Sequence, residues 1–210
     1  PFWRTDIEIK EDIVEEVGRL IGFDKLPLEL PKRTVTPTQL DPKLSIKKDL
    51  RSKLARYGAN EVLTYSFVHG DLLQRAGQDP QQAFRLGNAL SPDLQYYRLS
   101  LTPSLLNHVH QNIKAGYESF ALFEIGKSHN KQLLDDEKVP LEFDRVALVI
   151  ASKSQKSQAY FTARKYVSEL LGKTFEIVPF DEKLYDNHSH IGQMTAPFEP
   201  DRSALIIAPK

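Results

Sequence analysis

The chain of 210 residues contains no cysteine, one methionine and one tryptophan. Without cysteine there is no disulfide framework, no zinc–thiolate site and no thiol nucleophile, and an intracellular home fits that composition. Net charge is missing too: 28 lysines and arginines stand against 28 aspartates and glutamates. A dedicated nucleic-acid binder normally carries a basic excess, so global charge gives that role no support. No apolar run approaches the length of a transmembrane helix, and no signal-peptide pattern opens the sequence. Phosphate loops, dinucleotide fingerprints, nucleophile elbows and paired-histidine zinc motifs are all absent, and nothing arranges Ser, His and Asp as a triad.

What is present is an ordinary globular composition, 40% hydrophobic and 27% charged, enough for one large domain or a domain plus a fragment. The chain opens at Pro1, its methionine is Met194, and the apolar run SALIIA at Ser203–Ala208 stands at its end. It therefore reads as a piece of a longer polypeptide.

The stretch WRTDIEIKEDIVEEVGRLIGFDKLP, Trp3 to Pro27, changes period midway. Trp3, Thr5, Ile7 and Ile9 alternate with Arg4, Asp6, Glu8 and Lys10, as in a half-buried strand. Ile13, Val17, Leu20 and Ile21 then follow helical spacing. On that helix Asp12, Glu15 and Glu16 share the opposite face, and Asp6 on the strand reaches the same junction. Four converging carboxylates suit a hard cation such as magnesium. Acidic residues in a helix's first turns are also favoured by its dipole, and a solvated polar face is the plainer reading.

Prolines 27, 31, 37 and 42 punctuate an aperiodic stretch from about Leu26 to Leu44, a linker. A helix is expected from Ser45, with Ile46, Leu50 and Leu54 as its stripe and Gly58 as its left-handed stop. Its other face carries Lys47, Lys48 and Arg51, open to a phosphate backbone or simply to water. Glu61–Val68 reads as a strand, a short helix is expected near Asp71–Ala76, and a turn at Ser91–Asp93. Thr102–Pro103 starts a helix whose buried stripe would be Leu106, Val109 and Ile113. Phe120–Ile125 and Arg145–Ala151 are strands, the second apolar enough to be buried on both faces. A helix from about Ser157 to Leu171, a strand at Thr174–Phe180, a loop to Pro200 and a last strand complete an α+β pattern, helices on a largely antiparallel sheet. His108 and His110 lie two apart on a helix and point different ways; His188 and His190 have no third ligand at convincing spacing.

Several ordered motifs resemble the bacterial phenylalanyl-tRNA synthetase β subunit family. WRTDIEIKEDIVEEVGRLIGFDKLP is similar to the end of its winged-helix-like module, with Phe23 and Leu26 replacing tyrosine and isoleucine. RSKLARYGANEVLTYSF at Arg51–Phe67 resembles the entry to its core domain. LGNALSPDLQYYRLSLTPSLL at Leu86–Leu106 resembles its next segment, with Ala89 replacing a proline, and LFEIG at Leu122–Gly126 the signature after that. ARKYVSELLG and PDRSALII follow in the same order.

The resemblance implies residues 1–26 as the C-terminal part of that module, 27–44 as linker, and 45–210 as a core like the class II synthetase fold but without its catalytic motifs. It implies a non-catalytic scaffold pairing with the α subunit in ATP-dependent charging of tRNA-Phe. The assembly would be a cytoplasmic α2β2 heterotetramer containing a second β subunit, with ATP and phenylalanine bound by α. It assigns Asp6, Asp12, Glu15 and Glu16 as ligands of a magnesium ion shared with α; four carboxylates without a cation would repel one another. KSHNKQLL after LFEIG lacks the pattern that holds ATP, which makes Arg98 structural. The expected interface helices are Ser45–Tyr57 and Thr102–Ala115. The rival readings are a tRNA-binding module on the Lys47/Lys48/Arg51 face and a free-standing magnesium enzyme.

Overall fold

The computed structural model describes residues 2–153, 156–172, 175–181 and 190–207. Two compact units divide the chain, Pro1–Gln39 and Leu40–Lys210.

In the first unit α1 (Lys10–Ile21) follows an irregular entry, and a 3-10 turn at Phe23–Lys25 comes after it. The alternating residues before it form no ladder. Among the described residues no strand lies beside them, and a lone extended segment has nowhere to place its backbone hydrogen bonds. Gly22, at φ 96°, ends α1 by donating its N–H to Gly18 O at 2.9 Å. The chain then turns so that the Phe23 ring lies against Gly18, where a Cβ would collide with it.

The second unit opens with α2 (Pro42–Arg56), whose N-cap is Asp41, its side chain accepting from Lys43 N at 2.9 Å. The helix thus begins earlier than Ser45. Pro42, read from sequence as linker punctuation, is its first residue, where proline's missing N–H costs nothing. Gly58, at φ 91°, closes it as expected.

The region expected as one strand at Glu61–Val68 is two short ones, β1 (Ala59–Glu61) and β2 (Phe67–Val68), separated at Thr64. Then come α3 (Gly70–Arg75), β3 (Tyr96–Tyr97), α4 (Thr102–Lys114), the ten-residue strands β4 (Ser119–Ser128) and β5 (Phe143–Ser152), α5 (Lys156–Leu171), β6 (Glu176–Pro179), α6 (His190–Thr195) and β7 (Ala204–Ile207). The sheet order is β1-β4-β5: β1 runs parallel to β4, and β4 and β5 form a long antiparallel hairpin pairing Ala121 with Ile150, Phe123 with Leu148 and Ile125 with Val146. β2 pairs with β3 and β6 with β7, both antiparallel.

Strand alternation gives β4 two different faces. Ala121, Phe123 and Ile125 pack with Leu54 of α2, Ala59 of β1 and Tyr166 of α5 in the main core. Tyr166 also donates its hydroxyl to Tyr57 O at 2.7 Å, tying α5 to the end of α2. A second cluster joins Val68, Leu73, Ala83 and Leu99. β4, not β5, is the strand buried on both faces; Val146 of β5 is about half exposed, because among the described residues β5 has a neighbour on one side only. On α4 the buried residues are Pro103, Ser104 and Leu105, while Leu106 is exposed, so the stripe is turned by one residue from its expected position. His188 lies outside the described residues. Among the described residues no helix is long and apolar enough to cross a membrane.

Candidate functional site

The four carboxylates at the start of α1 have different fates. Arg4 grips Asp6 with two parallel bonds, Nε to Oδ1 and Nη2 to Oδ2, each 2.8 Å, and Nη2 also donates to Glu16 Oε1 at 2.7 Å. Arg19, one turn along, pairs with the other oxygen of Glu16. This fork geometry holds the Asp6 carboxyl down at about 2, first through Arg4 and then through its own backbone N–H. The same guanidinium, followed by Arg19, lowers Glu16. Asp12 faces the helix start instead: its Oδ2 accepts from Ile9 N at 2.9 Å and Glu8 N at 2.8 Å, which caps α1 and lowers its pKa. Glu15 is exposed.

The structure therefore brings Asp6 and Glu16 together, but around Arg4. Asp12 is committed to backbone and Glu15 faces solvent. As arranged, the four do not make a ligand set for a hard cation; among the described residues no three histidine or acidic side chains gather to hold a metal. Sequence reasoning identified the acidic face and left Arg4, on the same side of the chain as Asp6, out of account.

A buried ion pair lies elsewhere. On the second face of β4, Glu124 is 1% exposed and meets Arg98, 2% exposed, through Arg98 Nη1 to Glu124 Oε1 at 2.7 Å. Thr64 completes the set, donating to Glu124 Oε2 at 2.7 Å and accepting from Arg98 Nη1 at 2.8 Å, while Arg98 Nε donates to Lys127 O at 2.9 Å. A buried charge pair persists only when its remaining donors and acceptors are satisfied, and here three segments of chain converge to do so. Gly126 makes room for it, since a Cβ there would meet Arg98 Nη2 and Glu124 Oε1. The guanidinium is thus engaged inside the protein, as a structural arginine would be. A partial signal was available in sequence: a glutamate inside an apolar strand, once buried, needs a cation or hydrogen-bond donors around it.

Of the three residues expected as a basic face on α2, Lys47 and Arg51 are paired and Lys48 is exposed. Lys47 pairs with Asp144, Arg51 with Glu61 at 2.6 Å and Lys53 with Asp49 at 2.8 Å. His108 and His110 form no pair with each other, as their spacing required. His190 Nε2 lies 2.6 Å from Arg145 Nη2, and both burial and that cation lower its pKa. A groove of about 260 Å³ beside β2 is lined by Thr64, His69, Arg75, Asp93 and His108 among others, and His69 Nδ1 is already used in accepting from Asp71 N at 3.1 Å.

Residues 26–208 match the family described as phenylalanyl tRNA synthetase beta chain CLM domain. The phenylalanine–tRNA ligase beta subunit of Novosphingobium aromaticivorans is 32% identical over an alignment covering 100% of this chain and 26% of that protein. The same subunit of Desulfotalea psychrophila is 37% identical over 77% of this chain and 20% of its own length. This chain spans about a fifth to a quarter of such relatives. In fold it is similar to a pyrrolysyl-tRNA synthetase from Desulfitobacterium hafniense, with TM-score 0.53 and 20% identity over 68% of this chain and 52% of that one. That agrees with the expected α+β architecture of the class II synthetase type.

Proposed function

The chain belongs to the phenylalanyl-tRNA synthetase β-chain family, and from that membership we propose that it is a non-catalytic scaffold portion of phenylalanine–tRNA ligase β that pairs with a catalytic α subunit. In this reading residues 1–26 close a winged-helix-like module, 27–44 link it onward, and 45–210 form the synthetase-like core. The parent assembly charges tRNA-Phe at the expense of ATP, with ATP and phenylalanine held by α, and carries two copies of each subunit.

The observation that carries the scaffold role is the closed Arg98–Glu124–Thr64 network. A class II-type site would need its polar groups turned outward to ligands, whereas here the arginine beside the central strand is spent on a glutamate of that strand. The pairing of Lys47 and Arg51, two of the three residues of that basic face, favours this reading over a free-standing tRNA-binding module. The faces offered to α are on α2 and α4, where Leu44, Ile46 and Leu106 are exposed. Mixing this 210-residue chain with an isolated α subunit tests the reading by size-exclusion chromatography with light scattering. A complex at micromolar concentration is the expected result, lost when Ile46 and Leu106 are both changed to Asp; no association overturns it.

A further inference from the structure

We propose that Arg4 is the resident cation of the acidic junction at the start of α1, and that it closes Asp6 and Glu16 to a divalent metal ion. The inference stands apart from the proposed scaffold role, since it concerns the first unit alone.

Three observations carry it. Arg4 takes both oxygens of Asp6 and one of Glu16, and Arg19 takes the remaining oxygen of Glu16, so two carboxylates are matched by two guanidinium groups. A hard divalent ion needs an excess of anionic oxygen, and this pair offers none. Asp12 is turned to the backbone N–H groups of Glu8 and Ile9, and drawing it into a metal shell would uncap α1. Finally, the geometry at Asp6 is bidentate, in which a planar fork matches a carboxylate through two parallel bonds. A metal entering here would have to displace Arg4 from two partners and place a double charge beside it. The mutual repulsion of the acidic residues, which seemed to call for magnesium, is answered from within the chain.

Terbium is a suitable probe because it seeks hard oxygen ligands, and Trp3, the chain's one tryptophan, adjoins Arg4 and can sensitise its emission. The whole 210-residue chain should give no Trp3-sensitised terbium emission, and its thermal midpoint should be the same in EDTA and in millimolar magnesium. Arg4→Gln should gain terbium binding at least about tenfold tighter, the scale of removing one unit charge from beside a cation. Arg4→Lys, which keeps the charge, should remain near wild type, and adding Asp6→Asn to Arg4→Gln should abolish the gain. Wild-type binding as tight as that of Arg4→Gln overturns the proposal, as does an Arg4→Gln protein that binds no better than wild type, or a gain that survives Asp6→Asn. A measurement on the unaltered protein guards against a misfolded variant. The Arg4 Nε–H resonance should be protected and unmoved by millimolar magnesium; its loss on adding magnesium would sink the idea.

Discussion

Arg98 and Glu124 meet at 2.7 Å, guanidinium to carboxylate, with 3% and 2% of their side-chain surfaces open to solvent. They come from either side of α4, so the pair binds β3's exit to the middle strand of the sheet. Each charge is tolerable because the other is there.

Removing one partner leaves the other buried and uncompensated. Glu124→Gln keeps the shape and should destabilise the core unit by about 3–5 kcal/mol, the usual cost of breaking a buried pair from one side. Arg98→Met should cost a similar amount. The double change Arg98→Met with Glu124→Leu should recover most of the loss, leaving a deficit from the Thr64 hydroxyl and the Lys127 carbonyl that the pair now satisfies. Urea midpoints of these variants and of Glu124→Leu alone check this; in the double variant, losses equal to the sum of those of Arg98→Met and Glu124→Leu would show that the pair is not the coupling element.

Gly126→Ala tests the same network sterically. A Cβ at this position would press on Arg98 Nη2, lie 3.1 Å from Glu124 Oε1 and 3.3 Å from Leu101 Cδ2. Overpacking of this kind typically costs about 1–3 kcal/mol, and here the displaced atoms belong to a charge pair with no other place to go. The midpoint should fall in Gly126→Ala and be nearly unaffected by Gly87→Ala, where a Cβ meets nothing within 4 Å.

The extended stretch that leads up to α2 should be the site of first cleavage. Residues 26–41 contain no helix or strand, and every one of them is exposed. Exposed backbone outside any helix or strand fits readily into a protease. Brief trypsin treatment should cut after Lys32 or Arg33 and leave a resistant fragment beginning at Thr34 or close by, identified by mass spectrometry. First cleavage within α2 or β4 instead would contradict this reading.

How far the sequence foretold this structure depended on whether a residue's partner was near in the chain. Helix ends at Gly58, Gly116 and Gly172 were readable because a left-handed φ is a local demand, and all three adopt it. The α2 start was missed because Pro42 looked like punctuation, while Asp41 beside it supplied the cap. The alternation from Trp3 to Ile9 looked like a strand, yet a strand needs a neighbour that local pattern cannot supply. Leu106 was expected in the core and Leu105 is there, because which face of α4 is covered depends on the elements packed against it, not on its own period. The same limit applied at the candidate sites. Asp6, Asp12, Glu15 and Glu16 were visible as one face, but which cation answers them depended on where Arg4 folds back. Glu124 was visible as an oddity in FALFEI, and its partners, 26 and 60 residues away, were not.

Acid sensitivity above the carboxylate range should come from buried histidines. His129 is 8% exposed, its ring 4.7 Å from that of Tyr97, and burial pushes its pKa below 6.5, with Lys127 and Arg98 acting in the same direction and Glu142 against it. His190 is lowered likewise, by burial and by Arg145. A base whose folded pKa is depressed stays neutral in the native state and binds its proton more readily when unfolded. Stability is therefore level above about pH 6.5 and falls as pH drops below it, until the folded pKa is passed. The carboxylates lowered by ion pairing, Asp144 by Lys47 and Glu142 by Lys127, act in the same sense but only below their own unfolded values, 3.8 and 4.5. The two windows are separate. Melting temperatures measured between about pH 7.5 and pH 5 should fall in the wild type and fall less in His129→Phe, which keeps an aromatic ring against Tyr97 without a titrating group. An equal fall in both would remove His129 as a source of the acid sensitivity.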